Sequence, residues 1–242
     1  MNINKYNQIY QVLSGEIIEG VYQNQENLPS EHALVERFSV SRETVRKALN
    51  MLRENGFIQK VKGKGSVVIY DHTMDFTVSH LTSFKEIQEM KSIRYETNVV
   101  ELAVYDAEDV PKVQKALGLY PKDKIWKLVR QRIHDSKTHI IDTDFFLHEL
   151  MPGLNEEVAK QSTYQYIEER LGLSIAYAYK EITFEPMTAA ELDLFGPVTP
   201  QYAATVKSVV YLNEAKPFQY NVSKHLASEF KFTDFSRRFT GE

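Results

Sequence analysis

Apolar residues recur along the first seventy positions at intervals of three and four. Tyr6, Ile9, Tyr10, Leu13 and Ile17 make one stripe that stops at Gly20, and the spacing predicts an amphipathic helix. A short second helix opens after Leu28-Pro29-Ser30, with Ser30 as its N-cap and Ala33, Leu34 and Phe38 facing inward. Ser39-Val40 turns the chain. Ser41 then caps a third helix whose inner stripe is Val45, Leu49 and Leu52, and Asn55-Gly56 ends it in a left-handed cap. Beyond that point the period falls to two. Residues 57–61 and 66–70 read as short strands joined by the tip Lys62-Gly63-Lys64-Gly65.

The later chain alternates with the same period over longer stretches. Residues 97–105, 124–134, 139–147, 175–184, 206–212 and 218–225 read as strands, and 135–138 as a hairpin turn. Residues 83–90, 108–117, 163–171 and 188–195 read as helices, with Ser162 and Thr188 near N-caps. Asp71-His72-Thr73-Met74-Asp75 breaks the alternation between the two regions. The pattern therefore predicts an α+β chain in two domains: residues 1–71, a linker over 72–80, and an antiparallel-sheet domain over 81–242.

At 242 residues, 43% of them hydrophobic and 26% charged, the chain is long and apolar enough for two folded cores. Absence of cysteine excludes disulfides, thiolate metal sites and cysteine nucleophiles. The longest unbroken apolar run is residues 175–179 and no apolar leader begins the chain, so the expected location is the cytoplasm. Taken whole, a net charge of −4 argues against a polyanionic partner. Its distribution reverses that inference. Residues 1–70 carry nine Lys and Arg against seven Asp and Glu, leaving −6 on the remainder. Between residues 41 and 65, seven basic residues face only Glu43 and Glu54.

Helix, short helix, tight turn, capped basic helix and basic hairpin describe a winged helix-turn-helix. Burying Val45, Leu49 and Leu52 leaves Arg42 and Arg46, one turn apart, facing outward near the start of the third helix. That end of a recognition helix meets base edges in the major groove, where arginine can take guanine O6 and N7 together. Ser41, Thr44 and the free amides of the first turn suit phosphate oxygens. In the wing, Gly63 and Gly65 allow close backbone approach, and Lys62 and Lys64 add charge. The predicted partner is double-stranded DNA.

In the second domain, alternation over 124–134 places Trp126, Leu128, Arg130 and Arg132 on one face and Ile125, Val129 and Ile133 on the other. Two guanidiniums on one face could converge on a single phosphate or carboxylate. Cross-strand ion pairs with Asp142 and Asp144 would use the same arginines without a ligand, and spacing does not choose between them. No His-Glu-x-x-His, G-x-S-x-G or nucleotide loop occurs, and the seven histidines show no metal spacing. The expectation is a binding protein, not an enzyme, with no metal and no cofactor. A lyase-like enzyme acting on a small anion is the rival reading.

Leu28-Pro29-Ser30-Glu31, the run from Val40 through Leu49, Leu52, Gly56-Phe57-Ile58 and Gly63-Lys64-Gly65-Ser66 together resemble the GntR family of bacterial transcription regulators, over residues 5–70. That resemblance implies a homodimer on a near-palindromic operator, with His32, Ser41, Arg42, Thr44, Arg46, Gly63 and Gly65 at the DNA. Leu81-Thr82-Ser83-Phe84, Val129-Arg130-Gln131-Arg132 and the run from Ser162 to Glu168 are similar to sugar-phosphate-responding members of its HutC subgroup. Their ligand domain is of the UTRA type, with a chorismate-lyase-like fold. The resemblance implies that Ser83, Arg130, Arg132, Ser162 and Tyr164 hold a phosphate, with Asp142, Gln219 and His225 toward sugar hydroxyls. Gln219 and His225 depart from the Glu and Tyr of members that sense N-acetylglucosamine 6-phosphate, which implies another sugar. Gly172-Leu173-Ser174-Ile175, Lys180-Glu181-Ile182 and Phe218-Gln219-Tyr220 are similar to the trehalose-regulating branch of the subgroup. That likeness implies repression of trehalose uptake and phosphotrehalase genes, relieved by trehalose 6-phosphate. Another sugar phosphate or a small carboxylate is the alternative effector.

Overall fold

A computed structural model describes residues 5–70, 88, 94–233, 235 and 236. Contacts divide the described chain into two compact units. Residues 5–70 form one, joined by Phe232, Thr233, Phe235 and Ser236; Gln88 and residues 94–231 form the other. The chain therefore returns to the first unit at Phe232, where the sequence pattern extended the second domain to residue 242. The predicted linker and the predicted helix over 83–90 lie outside the described residues, Gln88 excepted.

In the first unit, α1 (Lys5–Ile18), α2 (Glu31–Phe38) and α3 (Arg42–Glu54) precede a hairpin of β1 (Ile58–Val61) and β2 (Gly65–Val68). Ile9, Leu13 and Ile17 of α1 pack with Leu34, Val45, Leu49, Leu52, Ile58 and Val68 in one buried core. The predicted inner face of α2 is narrower than expected. Only Leu34 is buried, Ala33 is exposed and Phe38 is half-buried, because a helix of eight residues meets the core through a single turn. Ser30 Oγ accepts the Ala33 amide and Ser41 Oγ the Thr44 amide, both at 3.2 Å, so each helix starts where its cap predicts. Ser39, at φ 50°, makes the left-handed turn between them. The hairpin closes with Val61 opposite Gly65, and Lys64 donates its amide to the Val61 carbonyl at 3.1 Å. A single antiparallel bridge from Asn27 to Val67 ties the preceding loop to the wing.

The second unit is a six-stranded antiparallel sheet in the order β3-β4-β5-β8-β7-β6. Its strands are β3 (Glu96–Asp106), β4 (Lys124–His134), β5 (Lys137–Leu147), β6 (Ile175–Pro186), β7 (Tyr202–Leu212) and β8 (Pro217–Leu226). The α+β reading and all six predicted strands match, with ends shifted by up to four residues. Helices α4 (Pro111–Leu117), α5 (Glu156–Lys160) and α6 (Thr163–Gln165, continued by a π-helical turn Tyr166–Arg170) supply Val113, Leu117, Ala159 and Ile167 to the core that contains Leu128, Phe146 and Val210. On the other face, α7 (Ala189–Phe195) brings Phe195 against Val129, Ile141, Ala203 and Leu226.

Two helix predictions need correction. The predicted helix over 108–117 breaks into a 3-10 turn, Ala107–Asp109, and α4, because Pro111 lacks the amide that would continue the first turn and instead occupies the opening turn of the second. Helix α5, capped by Asn155 through the Val158 amide at 2.9 Å, was absent from the pattern; five residues carry too little periodicity to register. Ile125, near the start of β4, is buried in the same core as Leu128.

Gly56, at φ +79°, ends α3 in the left-handed region, and a Cβ there would lie 2.5 Å from Cγ of Phe235. Gly56→Ala is expected to cost more than the roughly 1–2 kcal/mol of left-handed strain alone. Adding Phe235→Ala should return part of that loss. Urea denaturation of the single and double variants measures both, and additive losses would show that the ring does not occupy the space.

Candidate functional site

Two clusters of polar residues stand apart from the cores. On the first unit, Ser41 and Thr44 are tied to each other: their hydroxyl oxygens lie 2.8 Å apart while Ser41 also caps the helix. Arg46 is exposed and has no partner among the described residues. Arg42 differs, since its Nε donates to Glu31 Oε2 at 3.0 Å. Lys60 Nζ reaches the other oxygen of Glu31 at 3.3 Å. The Arg42 hydrogen bond is the largest influence on Glu31; with Lys60 it outweighs burial and holds the carboxyl below the usual carboxylate range. Lys62, Gly63, Lys64 and Gly65 are exposed at the wing tip, with Gly63 at φ +80° and Gly65 at φ +91°. His32 is exposed on α2, 3.7 Å from Glu36.

The second cluster lies on the sheet face that also carries Leu128 and Phe146. Asp135 and Ser136, at φ 48° and 61°, form a two-residue hairpin loop with both positions left-handed, and a one-residue bulge between Arg132 and Ile133 completes the β4–β5 register. Arg130 then stands opposite Asp142, Leu128 opposite Asp144, and Arg132 opposite Ile140. Each guanidinium reaches its carboxylate diagonally. Arg130 Nη2 donates to Asp144 Oδ2 at 2.6 Å, and Arg132 Nε to Asp142 Oδ2 at 2.9 Å. Of the two uses left open by spacing, the cross-strand ion pair is the one realised here. All four residues are at least nine-tenths buried.

Other strands and α5 complete the shell. Arg130 Nη1 donates to the Ala159 carbonyl at 3.2 Å, and Arg132 Nη1 to Thr97 Oγ1 at 2.7 Å. Asp144 Oδ1 accepts from Gln219 Nε2 and Asn221 Nδ2, both at 2.8 Å, and Tyr164 donates to Gln219 Oε1 at 3.2 Å. Asp142 Oδ1 accepts from Ser223 Oγ at 2.6 Å, leaving that oxygen to accept from His225 Nε2 at 3.1 Å. Burial is the largest influence on Asp142 and raises its pKa, but Arg132, Arg130 and the Ser223 bond together hold the carboxyl below its usual range. Burial and the neighbouring Arg130 charge lower Arg132 in turn. Among the described residues, Arg130 Nε is buried without a hydrogen-bond partner.

The structure thus brings six of the eight predicted ligand residues into two neighbouring bonded sets: Arg130, Tyr164 and Gln219 around Asp144, and Arg132, Asp142 and His225 through Ser223. Ser162 caps α6, its hydroxyl accepting the Gln165 amide at 3.2 Å, two residues before Tyr164. Ser83 lies outside the described residues. The site residues missed by sequence reasoning are Thr97, Asn221 and Ser223 in the sheet, and Glu31 and Lys60 in the head. A signal existed for two of them: Gln219, Asn221, Ser223 and His225 alternate as a polar stripe along β8. Among the described residues, no three His, Asp or Glu side chains group as metal ligands, and no helix is long and apolar enough to cross a membrane.

A winged helix-turn-helix with an outward basic helix, followed by an antiparallel sheet with a buried polar cluster, defines a transcription regulator with an effector-binding domain. The chain belongs to the gntR family of bacterial regulatory proteins, whose sequence model matches residues 5–68, and a UTRA domain matches residues 91–231. It is 40% identical to the HTH-type transcriptional regulator TreR of Bacillus subtilis over 98% of this chain and 99% of that protein. It is 27% identical to the HTH-type transcriptional repressor NagR of the same organism, over 99% and 100% of the two chains. Among solved structures, the effector-binding domain of the B. subtilis trehalose repressor aligns with a TM-score of 0.55 at 35% identity, covering 60% of this chain and 99% of that one. The possible transcriptional regulator YydK of B. subtilis shares the fold, with a TM-score of 0.79 at 23% identity, 96% of this chain and 99% of that chain being covered.

The lowered pKa of Asp142 gives a signed prediction. A carboxyl held below its unfolded value of about 3.9 contributes its stabilisation fully above that pH and loses it as the pH falls through the folded value. Asp142→Asn should therefore lower stability at pH 7 and flatten the acid limb of the stability curve below about pH 4. Denaturant titrations at stepped pH measure this, and an unchanged acid limb would remove Asp142 from the linkage.

Proposed function

We propose that this regulator is a homodimeric repressor of trehalose uptake and phosphotrehalase genes, acting in the cytoplasm on a palindromic operator and released by trehalose 6-phosphate. The observation that carries the reading is the 40% identity to TreR, which runs through both units. The head supports its first half. Arg46 and the Nη groups of Arg42, exposed in the first turns of α3, are assigned to base edges, and Ser41, Thr44, Lys62, Gly63, Lys64 and Gly65 to phosphates. His32, on the outer face of α2, adds a contact toward the backbone.

The sheet cluster supports the second half. Two guanidiniums and two carboxylates balance, so an entering phosphate must take a guanidinium from its aspartate, helped by the open Nε of Arg130. Carboxylate oxygens released in this way become acceptors for sugar hydroxyls. The phosphate is assigned to Arg130, Arg132, Ser162, Tyr164 and Ser83, and the hydroxyls to Asp142, Gln219 and His225. Exchange of partners inside a buried cluster is a discrete change, which suits a two-state switch of head spacing. Both carboxylates are already engaged, Asp144 by arginine and amide donors and Asp142 by arginine and the Ser223 hydroxyl, which fits binding better than use as a general base.

Fluorescence anisotropy on a duplex selected from random DNA tests the reading. Trehalose 6-phosphate should weaken operator binding, and free trehalose should not. Release by a different sugar phosphate would reassign the effector, and no response to any would end the reading. Arg46→Ala should lose specific DNA binding while keeping its thermal shift with the ligand. Arg130→Lys, which keeps the charge opposite Asp144 but removes the fork, should do the reverse; loss of the wild-type shift, about 2.7 kcal/mol of stabilisation at a hundredfold excess over Kd, is the readout.

A further inference from the structure

Glu31 joins three elements of the head. It is the first residue of α2, and its carboxylate receives Arg42 from the first turn of α3 and Lys60 from β1. The acid sits beneath the bases: its side chain is 22% exposed, against 78% for Arg42 and 65% for Lys60. It also follows the Ser30 cap, where the helix dipole favours a negative charge. The bond to Arg42 uses Nε alone, so the two terminal nitrogens remain as an outward fork. Arg46, one turn along, has no such anchor among the described residues.

We propose that Glu31 is a specificity-determining positioning residue, which aims the Arg42 fork at a base pair and keeps Arg42 and Lys60 from binding phosphates indiscriminately. The proposal rests on the DNA-reading function of the head. Non-specific affinity comes from cations that neutralise phosphates and release counterions. A cation already holding a carboxylate contributes less, because moving it onto a phosphate strands Glu31 beside the polyanion. Base reading reverses this balance. The fork can take guanine O6 and N7 while Nε stays on Glu31, so only the correct register keeps every charge partnered. The depressed pKa of Glu31, caused first by Arg42, keeps the carboxylate ionised under any condition where the protein meets DNA.

The test uses the full chain, its selected operator and a scrambled duplex, with anisotropy titrations over a salt series. Glu31→Gln should bind the scrambled duplex severalfold more tightly at low salt, with log K falling more steeply by about one unit per unit of log salt. It should bind the operator about fivefold more weakly, as one arginine loses its ordering. Glu31→Asp, which keeps the charge but falls a methylene short, should lose operator affinity while retaining the wild-type salt slope. In an Arg42→Ala background, Glu31→Gln should no longer weaken operator binding, because only Lys60 is then released. Equal changes on both duplexes, or an unaltered salt slope for Glu31→Gln, would overturn the proposal. A wild-type chain that cannot tell the duplexes apart would instead remove the DNA-reading function on which it rests.

Discussion

Burying two guanidiniums side by side is the constraint that shapes the second unit. Each must leave water, and the desolvation of such an ion costs several kcal/mol unless its donors are met. The sheet meets this by placing Asp142 and Asp144 diagonally opposite on β5 and by surrounding those carboxylates with Gln219, Asn221 and Ser223 from β8. Three adjacent strands therefore have to hold one register. A slip of one residue would turn both arginines to the opposite face, against Val129, Ile141 and Phe195. The hairpin at Asp135-Ser136, the bulge between Arg132 and Ile133 and the ion pairs together fix that register.

The head solves a milder form of the same problem. Its cations are exposed, so desolvation is small and the surface pairs are worth little as stability. Their value is orientation. Caps at Ser30 and Ser41 fix where α2 and α3 begin, and those beginnings bring Glu31 and Arg42 within hydrogen-bond distance. Gly56 ends α3 and lets the chain turn into β1, which carries Lys60 back to the same carboxylate. Local backbone signals, readable one at a time, thus decide a charge arrangement that no single one of them encodes.

This explains what was legible from residues alone. Period-two alternation located all six sheet strands, and helix caps with apolar stripes located α1, α2 and α3, because both signals are local. The pairing of Arg130 and Arg132 on one face was legible for the same reason. Their partners were not, since diagonal contact depends on loop type and side-chain length as well as on spacing. The Glu31 bridge was hidden because it joins residues 11 and 29 positions apart, with only the fold to connect them. The return of Phe232 and Phe235 to the first unit left no periodic trace at all.

The cluster's neutrality also bears on which ligands it can answer. A free sugar offers hydroxyls to carboxylates whose acceptor sites are already occupied by arginine, amide and hydroxyl donors, so it would have to displace bonds without supplying a counter-charge. A phosphate alone could take one guanidinium but would leave an aspartate buried and unpaired, a loss of several kcal/mol. Only a molecule carrying both groups replaces each broken bond with another of its kind. On this argument, the proposed selectivity for a phosphorylated sugar is a property of the whole balanced set, in which Arg132, Arg130 and Ser223 hold the carboxyl of Asp142 below its usual range.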